Sequence, residues 1–144
     1  MISFFVAGVP APQGSKSAVV RNGRAIMFEQ NKRTMPWREQ IALQASSIMR
    51  AHNYKIIDGA ALSIEAVFFM PRPKSHYGKH GLLKSAPRHC SKKPDIDKMA
   101  RALLDGLSDI VFDDDSRITV LTARKQYAVD KLSAGVHVAI EVIE

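Results

Sequence analysis

Apolar and polar residues alternate along several stretches of this chain, and each such stretch predicts a β-strand. The alternation is regular over residues 61–70, where every second side chain is apolar and would share one buried face. The members of that face are Leu62, Ile64, Ala66, Phe68 and Met70. Residues 2–9 form a nearly continuous apolar run, which predicts a buried strand. Asn22-Gly23 is a strong hairpin signal. Further strands are predicted at residues 17–21, 24–28, 116–128 and 134–143.

Apolar residues three or four positions apart predict two helices. The first begins at Thr34 and Pro36, residue types that favour a helix start, and runs to about Ala51. Its apolar face consists of Trp37, Ile41, Ala45, Ile48 and Met49. The second begins near Asp95 and Asp97. Its apolar face, predicted to lie in the core, consists of Ile96, Met99, Ala100, Leu103, Leu104 and Leu107.

The order of these elements is strands, helix, strand, helix, strands. That order predicts the α+β class, with a mixed or antiparallel sheet packed against two main helices. The chain has 144 residues, of which 46% are hydrophobic, so we expect residues 1–144 to form a single domain. No apolar run approaches the roughly 20 residues of a membrane helix. Cys90 is the one cysteine, which excludes an internal disulfide. We therefore expect a cytoplasmic protein that needs neither a membrane nor a small-molecule cofactor.

Charge is distributed unevenly along the chain. The 21 lysines and arginines outnumber the 14 acidic residues, and the resulting net charge of +7 favours a polyanionic partner. Residues 71–93, called the basic loop below, hold seven of these cations, three histidines and no acid. A loop of this length in a compact domain is usually functional or mobile. The next segment holds seven aspartates: Asp95, Asp97, Asp105, Asp109, Asp113, Asp114 and Asp115.

The basic loop followed by aspartates predicts metal-dependent phosphate chemistry. Carboxylates would repel the phosphates of DNA unless a cation such as Mg²⁺ lies between them. Asp97, Arg101 and Asp105 lie at i, i+4 and i+8 of the second helix, opposite its apolar face. Three consecutive aspartates at 113–115 repel one another and also favour a bound cation. The alternative is structural: Asp95 and Asp97 as helix caps, and the aspartate run as a turn.

Five segments of the chain carry a resemblance to a known family. They are GVPAPQGSK at 8–16, PRPKSHYGKHG at 71–81, KPDIDKMARALLDGL at 93–107, FDDDSRI at 112–118 and ARKQYA at 123–128. Together they resemble the RusA-type Holliday junction resolvases, particularly the phage-type branch. These are small, dimeric, Mg²⁺-dependent endonucleases that phages and prophages often encode. The D-x-D motif followed by a D-D pair about 17 residues later is the specific part.

The resemblance implies roles for five residues. Asp95 and Asp97 match the D-x-D carboxylates, and Asp115, with Asp114 beside it, matches the later catalytic aspartate. These four would bind Mg²⁺, with Mn²⁺ as an alternative. Arg101 stands where the family has a helix lysine, and it would stabilise the phosphate electrostatically because arginine keeps its charge. Asp113 has no counterpart in the pattern. The implied reaction is in-line hydrolysis of a phosphodiester in DNA recombination or repair.

Three positions of the family pattern carry an additional or recurrent cation. Lys98 stands where asparagine is frequent and Arg117 where glutamine is common. Lys125 matches a recurrent lysine that would contact the DNA backbone or pair with an acid. The predicted DNA-binding residues are Lys16, Lys74, Lys79, Lys84, Arg88, Lys92, Lys93, Lys98, Arg117 and Lys125.

Other interpretations of single motifs remain open. His76, His80, His89 and Cys90 could bind zinc, although their spacing matches no standard site. Residues 13–16, QGSK, could cradle a phosphate or form a turn. Trp37 is predicted to be a core residue rather than a base-stacking platform.

Three other functions compete with junction resolution. A D-x-D phosphatase would place that motif after an apolar strand, whereas Lys92-Lys93-Pro94 precedes it here. A non-catalytic DNA-binding protein would leave the aspartates unexplained. A nuclease for flaps or replication forks would use the same residues. For a four-way junction the expected assembly is a homodimer, with the strands near residues 2–9 and 134–143 as candidate contact surfaces.

Overall fold

A computed structural model describes residues 1–14, 16–29 and 31–143. Eight strands and two α-helices follow one another along them. They are β1 (Ile2–Ala7), β2 (Lys16–Arg21), β3 (Arg24–Glu29), α1 (Thr34–Ala51), β4 (Ala61–Met70), β5 (Tyr77–Gly78), β6 (Gly81–Leu82), α2 (Ile96–Leu107), β7 (Ile118–Tyr127) and β8 (Gly135–Ile143). No helix within the described ranges is both long enough and apolar enough to span a membrane.

A four-stranded mixed sheet is the centre of the fold. Its order is β1-β8-β4-β7, with β4 parallel to β7 and the other neighbouring pairs antiparallel. The strands β2 and β3 form a separate hairpin through the predicted Asn22-Gly23 turn, and β5 and β6 form a second, very short one. The α+β class and the mixed sheet predicted from the sequence are confirmed.

Both helices cover one face of this sheet. Trp37, Ile41 and Ala45 of α1 pack with Met99 and Leu103 of α2 in a single apolar core. The predicted apolar face of β4 supplies the floor of that core, since its five members are all buried. Burial of apolar surface contributes about 25 cal/mol per Å², so this two-layer packing is the main source of the stability of the fold.

The opposite face of the sheet is more exposed. It carries Phe5 of β1, Val67 and Phe69 of β4 and Ala139 of β8, and we call these four residues the open face. The Phe5 and Phe69 rings contact each other with centroids 6.3 Å apart. Polar Ser3, Glu65 and His137 lie on the same face, so the exposed apolar surface is a patch centred on Phe5 and Phe69.

Two predicted buried segments are confirmed as elements, but each is buried over a shorter stretch than the sequence predicts. The strand predicted at residues 2–9 ends at Ala7, because Gly8 has a φ of 132° and turns the chain away. It is an edge strand with one buried face, and Phe5 is 37% exposed. Ile96 was expected in the core but is also 37% exposed. It is the first residue of α2, and the apolar face of that helix becomes buried only from Met99 onward.

The basic loop is more ordered than an irregular connection. It contains a short 3₁₀ turn at Lys74–His76 and the β5–β6 hairpin. The Arg72 guanidinium lies 4.3 Å from the centre of the Tyr127 ring and donates a 2.7 Å hydrogen bond to the Pro87 carbonyl oxygen. The His76 ring packs edge-on against the same tyrosine. These contacts fix both ends of the loop against the end of β7.

Candidate active site

Asp95 and Asp97 lie at the start of α2, as predicted. Asp95 is the N-cap residue, but its side chain makes no capping hydrogen bond. Its carboxylate forms an exposed ion pair with Lys98, whose Nζ lies 3.7 Å from Oδ2. Asp97 is exposed in the first turn, where the helix dipole favours a negative charge. Asp95 thus occupies the capping position without a side-chain cap, whereas Asp114 does accept a hydrogen bond from the backbone of the turn that follows, as the structural alternative predicts for the aspartate run.

Lys125 fixes the main chain in front of these aspartates. Its Nζ donates hydrogen bonds to the carbonyl oxygens of Lys92, at 2.7 Å, and Pro94, at 2.9 Å. These partners are main-chain carbonyls rather than the acidic side chain that the sequence suggested. They place the ammonium group where it orients the peptide that leads directly into Asp95. Its contact with DNA stays a prediction.

Arg117 and Asp113 form an ion pair at the entrance to β7. The guanidinium donates from Nε and from a terminal nitrogen to the Asp113 carboxylate, with a shortest distance of 2.9 Å. The Asp58 carboxylate lies 4.0 Å from the same group. The hydrogen bond lowers the pKa of Asp113 and raises that of Arg117. Arg117, predicted to bind DNA, has these two carboxylate partners within the chain.

Asp114 and Asp115 form a pair with a different character. The Asp114 carboxylate accepts a 2.9 Å hydrogen bond from the backbone N–H of Ser116, which lowers its pKa. The pKa of Asp115 is raised, first by its hydrogen bond with Asp114, then by partial burial and by repulsion from Asp114 and Asp105. Two carboxyl groups this close disfavour simultaneous ionisation. A divalent cation between them would remove that cost.

The predicted metal ligands do not form one cluster. Asp115 lies close enough to Asp105 for its pKa to respond, and Asp105 is near the C-terminal end of α2. Asp95 is at the other end, and ten residues of helix span about 15 Å. Across the described ranges, no three His, Cys, Asp or Glu side chains are placed to hold a metal ion. The chain thus presents two separate carboxylate groups: Asp95 with Asp97, and Asp114 with Asp115.

Each carboxylate group still fits the chemistry of Mg²⁺. This ion commonly takes one or two carboxylates and completes its octahedron with phosphate oxygens and water. Arg101 is exposed one turn after Asp97, on the helix face that leads to Asp105, as the spacing predicts. A phosphate bound near Asp97 would therefore meet a guanidinium on the same face.

The other predicted DNA-binding residues are mostly free of tertiary packing. Lys74, Lys79, Lys84, Arg88, Lys92 and Lys93 are exposed along the basic loop. The side chain of Lys16 lies outside the part of the chain that the structure describes. Lys98 is exposed and forms its ion pair with Asp95.

The zinc alternative gains no support from the placement of its residues. Cys90 is buried, and its thiol contributes to the raised pKa of Tyr127, for which burial is the largest cause. His76 packs on Tyr127, while His80 and His89 are exposed. Trp37 is 4% exposed, which confirms that it is a core residue. Gln13 is buried in an irregular segment, and its backbone N–H donates a hydrogen bond to the Lys98 carbonyl oxygen of α2, while Ser15 of the same motif lies outside the described residues.

Two structural contributors were missed from the sequence: Arg72 fixes the basic loop through Tyr127, and Asp58 joins the Arg117 pair. Lys125 was predicted as a site residue, but its hydrogen bonds to the Asp95 segment were not. In each case the partners are separated by about 30 to 60 residues in the sequence. Neither periodicity nor motif spacing carries information about such contacts.

Comparison with known proteins adds two findings. The family model described as "Endodeoxyribonuclease RusA" matches residues 7–141, which is nearly the whole chain. A Bacillus subtilis (strain 168) protein named "Uncharacterized protein YqaN" is 28% identical over 135 residues, and the alignment covers 88% of each chain.

Proposed function

Because the chain belongs to the RusA family of endodeoxyribonucleases, we propose that it is a Mg²⁺-dependent nuclease that resolves four-way DNA junctions. The observation that carries the proposal is the position of Asp95 and Asp97. They are exposed at a helix start, on a main chain fixed by Lys125, directly after a loop rich in exposed cations. Exposed cations suit a phosphodiester substrate, and carboxylates that make no capping hydrogen bond suit a divalent metal ion.

Residues of this chain would act on the substrate in three ways. The exposed lysines of the basic loop bind the phosphate backbone without reading its sequence. Arg101 donates hydrogen bonds to oxygens of the scissile phosphate and stabilises the charge that develops there. The two carboxylate groups, Asp95 with Asp97 and Asp114 with Asp115, would each hold Mg²⁺. When bound, this ion supplies a polarised water and neutralises the leaving oxygen.

The reaction itself is a hydrolysis. A water oxygen forms a new bond to phosphorus while the bond from phosphorus to the 3′ oxygen breaks. The products are a 3′ hydroxyl and a 5′ phosphate: one proton of the water ends on the departing 3′ oxygen, and the other is released from the new phosphate to solvent. No residue of this chain needs to form a covalent intermediate for this balance.

A homodimer is the assembly that suits this substrate. Two opposed strands of a junction must be cut, and each chain supplies one set of aspartates, so a two-fold dimer matches the symmetry of the DNA. The open face includes residues of β1 and β8, the two strands that the sequence predicts as dimer contact surfaces. These strands are neighbours in the sheet. Its adjacent Phe5 and Phe69 rings are an apolar surface of the kind that a second copy would cover.

The three competing functions make different predictions. A D-x-D phosphatase is disfavoured because Asp95 follows a segment without a strand, anchored by Lys125. A non-catalytic DNA-binding protein would bind junctions but would not cut them. A flap or fork nuclease would cut, with another preference among branched substrates.

Cleavage of labelled DNA tests the proposal. The protein should cut a four-way junction symmetrically when Mg²⁺ is present, should be inactive in EDTA, and should leave the linear duplex of the same sequence largely intact. Binding without cutting under all metal conditions would contradict the nuclease. Faster cutting of a flap than of a junction would favour the alternative substrate.

A further inference from the structure

A cavity of about 360 Å³ lies directly beside Asp95. Its walls come from the segment after β1 and from the end of β4, and they are apolar: Val9, Pro10, Pro12, Met70 and Pro94. This volume falls within the usual range for a site that takes one small ligand. The cavity shares Asp95 with the candidate active site, so its contents would lie next to the phosphate that is cut.

Cations and an amide surround these apolar walls. Arg33, Lys93 and Lys98 contribute three positive charges to the lining, and Asp95 contributes one negative charge. Asn31 also lines the cavity. Its Oδ1 accepts a 2.9 Å hydrogen bond from the backbone N–H of Arg33, which fixes the orientation of its amide group. The remaining Nδ2 donor is of the type that bonds to the ring nitrogens and carbonyl oxygens of a nucleobase.

The walls are held in place by hydrogen bonds to the rest of the fold. The buried Thr34 hydroxyl donates to the Pro12 carbonyl oxygen at 2.6 Å, and the backbone N–H of Gln13 donates to the Lys98 carbonyl oxygen at 2.9 Å. Lys125 fixes the opposite wall through the Pro94 carbonyl. The cavity is therefore preformed, and filling it requires little reorganisation.

We propose that this cavity binds one unpaired nucleotide of the DNA strand, next to the scissile phosphate. A nucleotide combines an apolar, flat base with an anionic phosphate, and the cavity combines apolar walls with Arg33, Lys93 and Lys98. Enzymes that act on single bases of DNA bind an extruded base in such a pocket, where it leaves the stack at a cost of a few kcal/mol. The inference rests on the proposed function and adds a specificity site to it: stacking is interrupted at a branch point, so a nucleotide can leave the stack there at a lower cost than in a linear duplex.

A fluorescent base analogue tests the inference. The probe is a five-nucleotide single strand with 2-aminopurine at its centre, titrated with the full-length protein. Arg33→Ala and Asn31→Ala should each weaken its binding about tenfold, as expected for losing one hydrogen bond to a charged or fixed polar group. Arg33 makes no capping hydrogen bond to α1, so its removal leaves the helix start intact. The matched control is Arg50→Ala, the same change in the last turn of α1, which should bind like the wild type.

Two further measurements distinguish a nucleotide within a DNA strand from a free nucleotide. They also distinguish failure of this inference from failure of the proposed function. Replacing 2-aminopurine by an abasic residue in an unlabelled competitor should weaken competition, and a deoxynucleoside monophosphate should compete only at far higher concentration. Equal competition by the abasic strand, equal affinity for the mononucleotide, or equal effects of Arg33→Ala and Arg50→Ala would each overturn the inference. Cleavage of the four-way junction is measured in parallel. If the wild type cuts while these results fail, only the cavity proposal is overturned.

Discussion

Lys125 shows how one side chain can position a site without belonging to its chemistry. Its Nζ donates to the carbonyl oxygens of Lys92 and Pro94, and the next residue along the chain is Asp95. Hydrogen bonds from an ammonium group are each worth about 1.5 to 3 kcal/mol when they are desolvated. Losing both would let the peptide before Asp95 shift while the sheet below it stays in place.

Lys125→Met therefore should slow junction cleavage more than it weakens junction binding. The methionine keeps the apolar stem of the side chain and removes the donors. A displacement of about 1 Å at a reacting group can cost roughly 100-fold in rate, so we expect a 10- to 100-fold loss in the single-turnover rate. Lys125→Arg should recover part of it, and Lys131→Met, at an exposed lysine, should be neutral. A loss in binding as large as the loss in rate would identify a direct interaction with DNA instead.

The three consecutive aspartates differ in ion pairing and in the direction of their pKa shifts, because their neighbouring groups differ. Asp113 is neutralised by Arg117, whereas the neighbouring Asp114 raises the pKa of Asp115. In the sequence, only the family pattern separated Asp113 from the other two. The pairing with Arg117 supplies a physical reason, because a carboxylate already bonded to a guanidinium is a poor metal ligand.

Helix α2 is the element whose buried residues the sequence pattern predicts most accurately. Its apolar residues recur at helical spacing, and Met99, Leu103 and Leu107 are buried as expected. Ile96 departs from the pattern because periodicity does not reveal where a helix first touches its sheet. The strand β1 departs for a related reason: an apolar run of eight residues does not distinguish an edge strand from a central one.

The regular structure and the fixed contacts of the basic loop could not be predicted from its composition. Glycine, proline and charge indicated an irregular segment, yet Arg72, His76 and Tyr127 hold it against β7. Tyr127 lies 55 residues after Arg72, and cation–π contacts leave no signature in the spacing of residues. The same limit applies to the site as a whole. The residue types of the aspartate groups were predictable, but their separation along α2 was not.

Removing the exposed cations of the basic loop should weaken DNA binding with little dependence on sequence. The variant replaces four of them by alanine: Lys74, Lys79, Lys84 and Arg88. Each cation bound to a phosphate releases a counterion, so the slope of log K against log salt should fall by about 0.9 for every such cation removed. Fluorescence anisotropy with a labelled junction between low and moderate salt measures that slope.

The control for this experiment removes cations from elsewhere on the surface. Arg50, Lys55 and Lys131 are all exposed and lie outside the basic loop. Their replacement by alanine should leave the salt dependence of junction binding nearly unchanged. A slope that stays the same in the loop variant would show that the loop does not face the DNA.

For the whole molecule, the open face of the sheet is the proposed contact surface between two copies of the chain. Phe5→Asp should convert the proposed dimer of twice 15.9 kDa into a monomer, because a charge would be buried in its interface. Leu43→Asp is the control: Leu43 is 65% exposed on α1, on the helical side of the sheet. Sedimentation at micromolar concentration separates the two masses. A wild-type monomer that still resolves junctions by paired cuts would refute this arrangement.

Cleavage by two variants of neighbouring aspartates, measured in one experiment, tests whether the aspartates cut DNA with the help of a divalent cation. Asp115→Asn and Asp113→Asn remove the same charge two residues apart. With Mg²⁺ present, Asp115→Asn should lose at least about 100-fold in the single-turnover rate of junction cleavage while still binding the junction, and Asp113→Asn should lose far less. Wild-type turnover by Asp115→Asn, or an equal loss in both variants, would contradict the account.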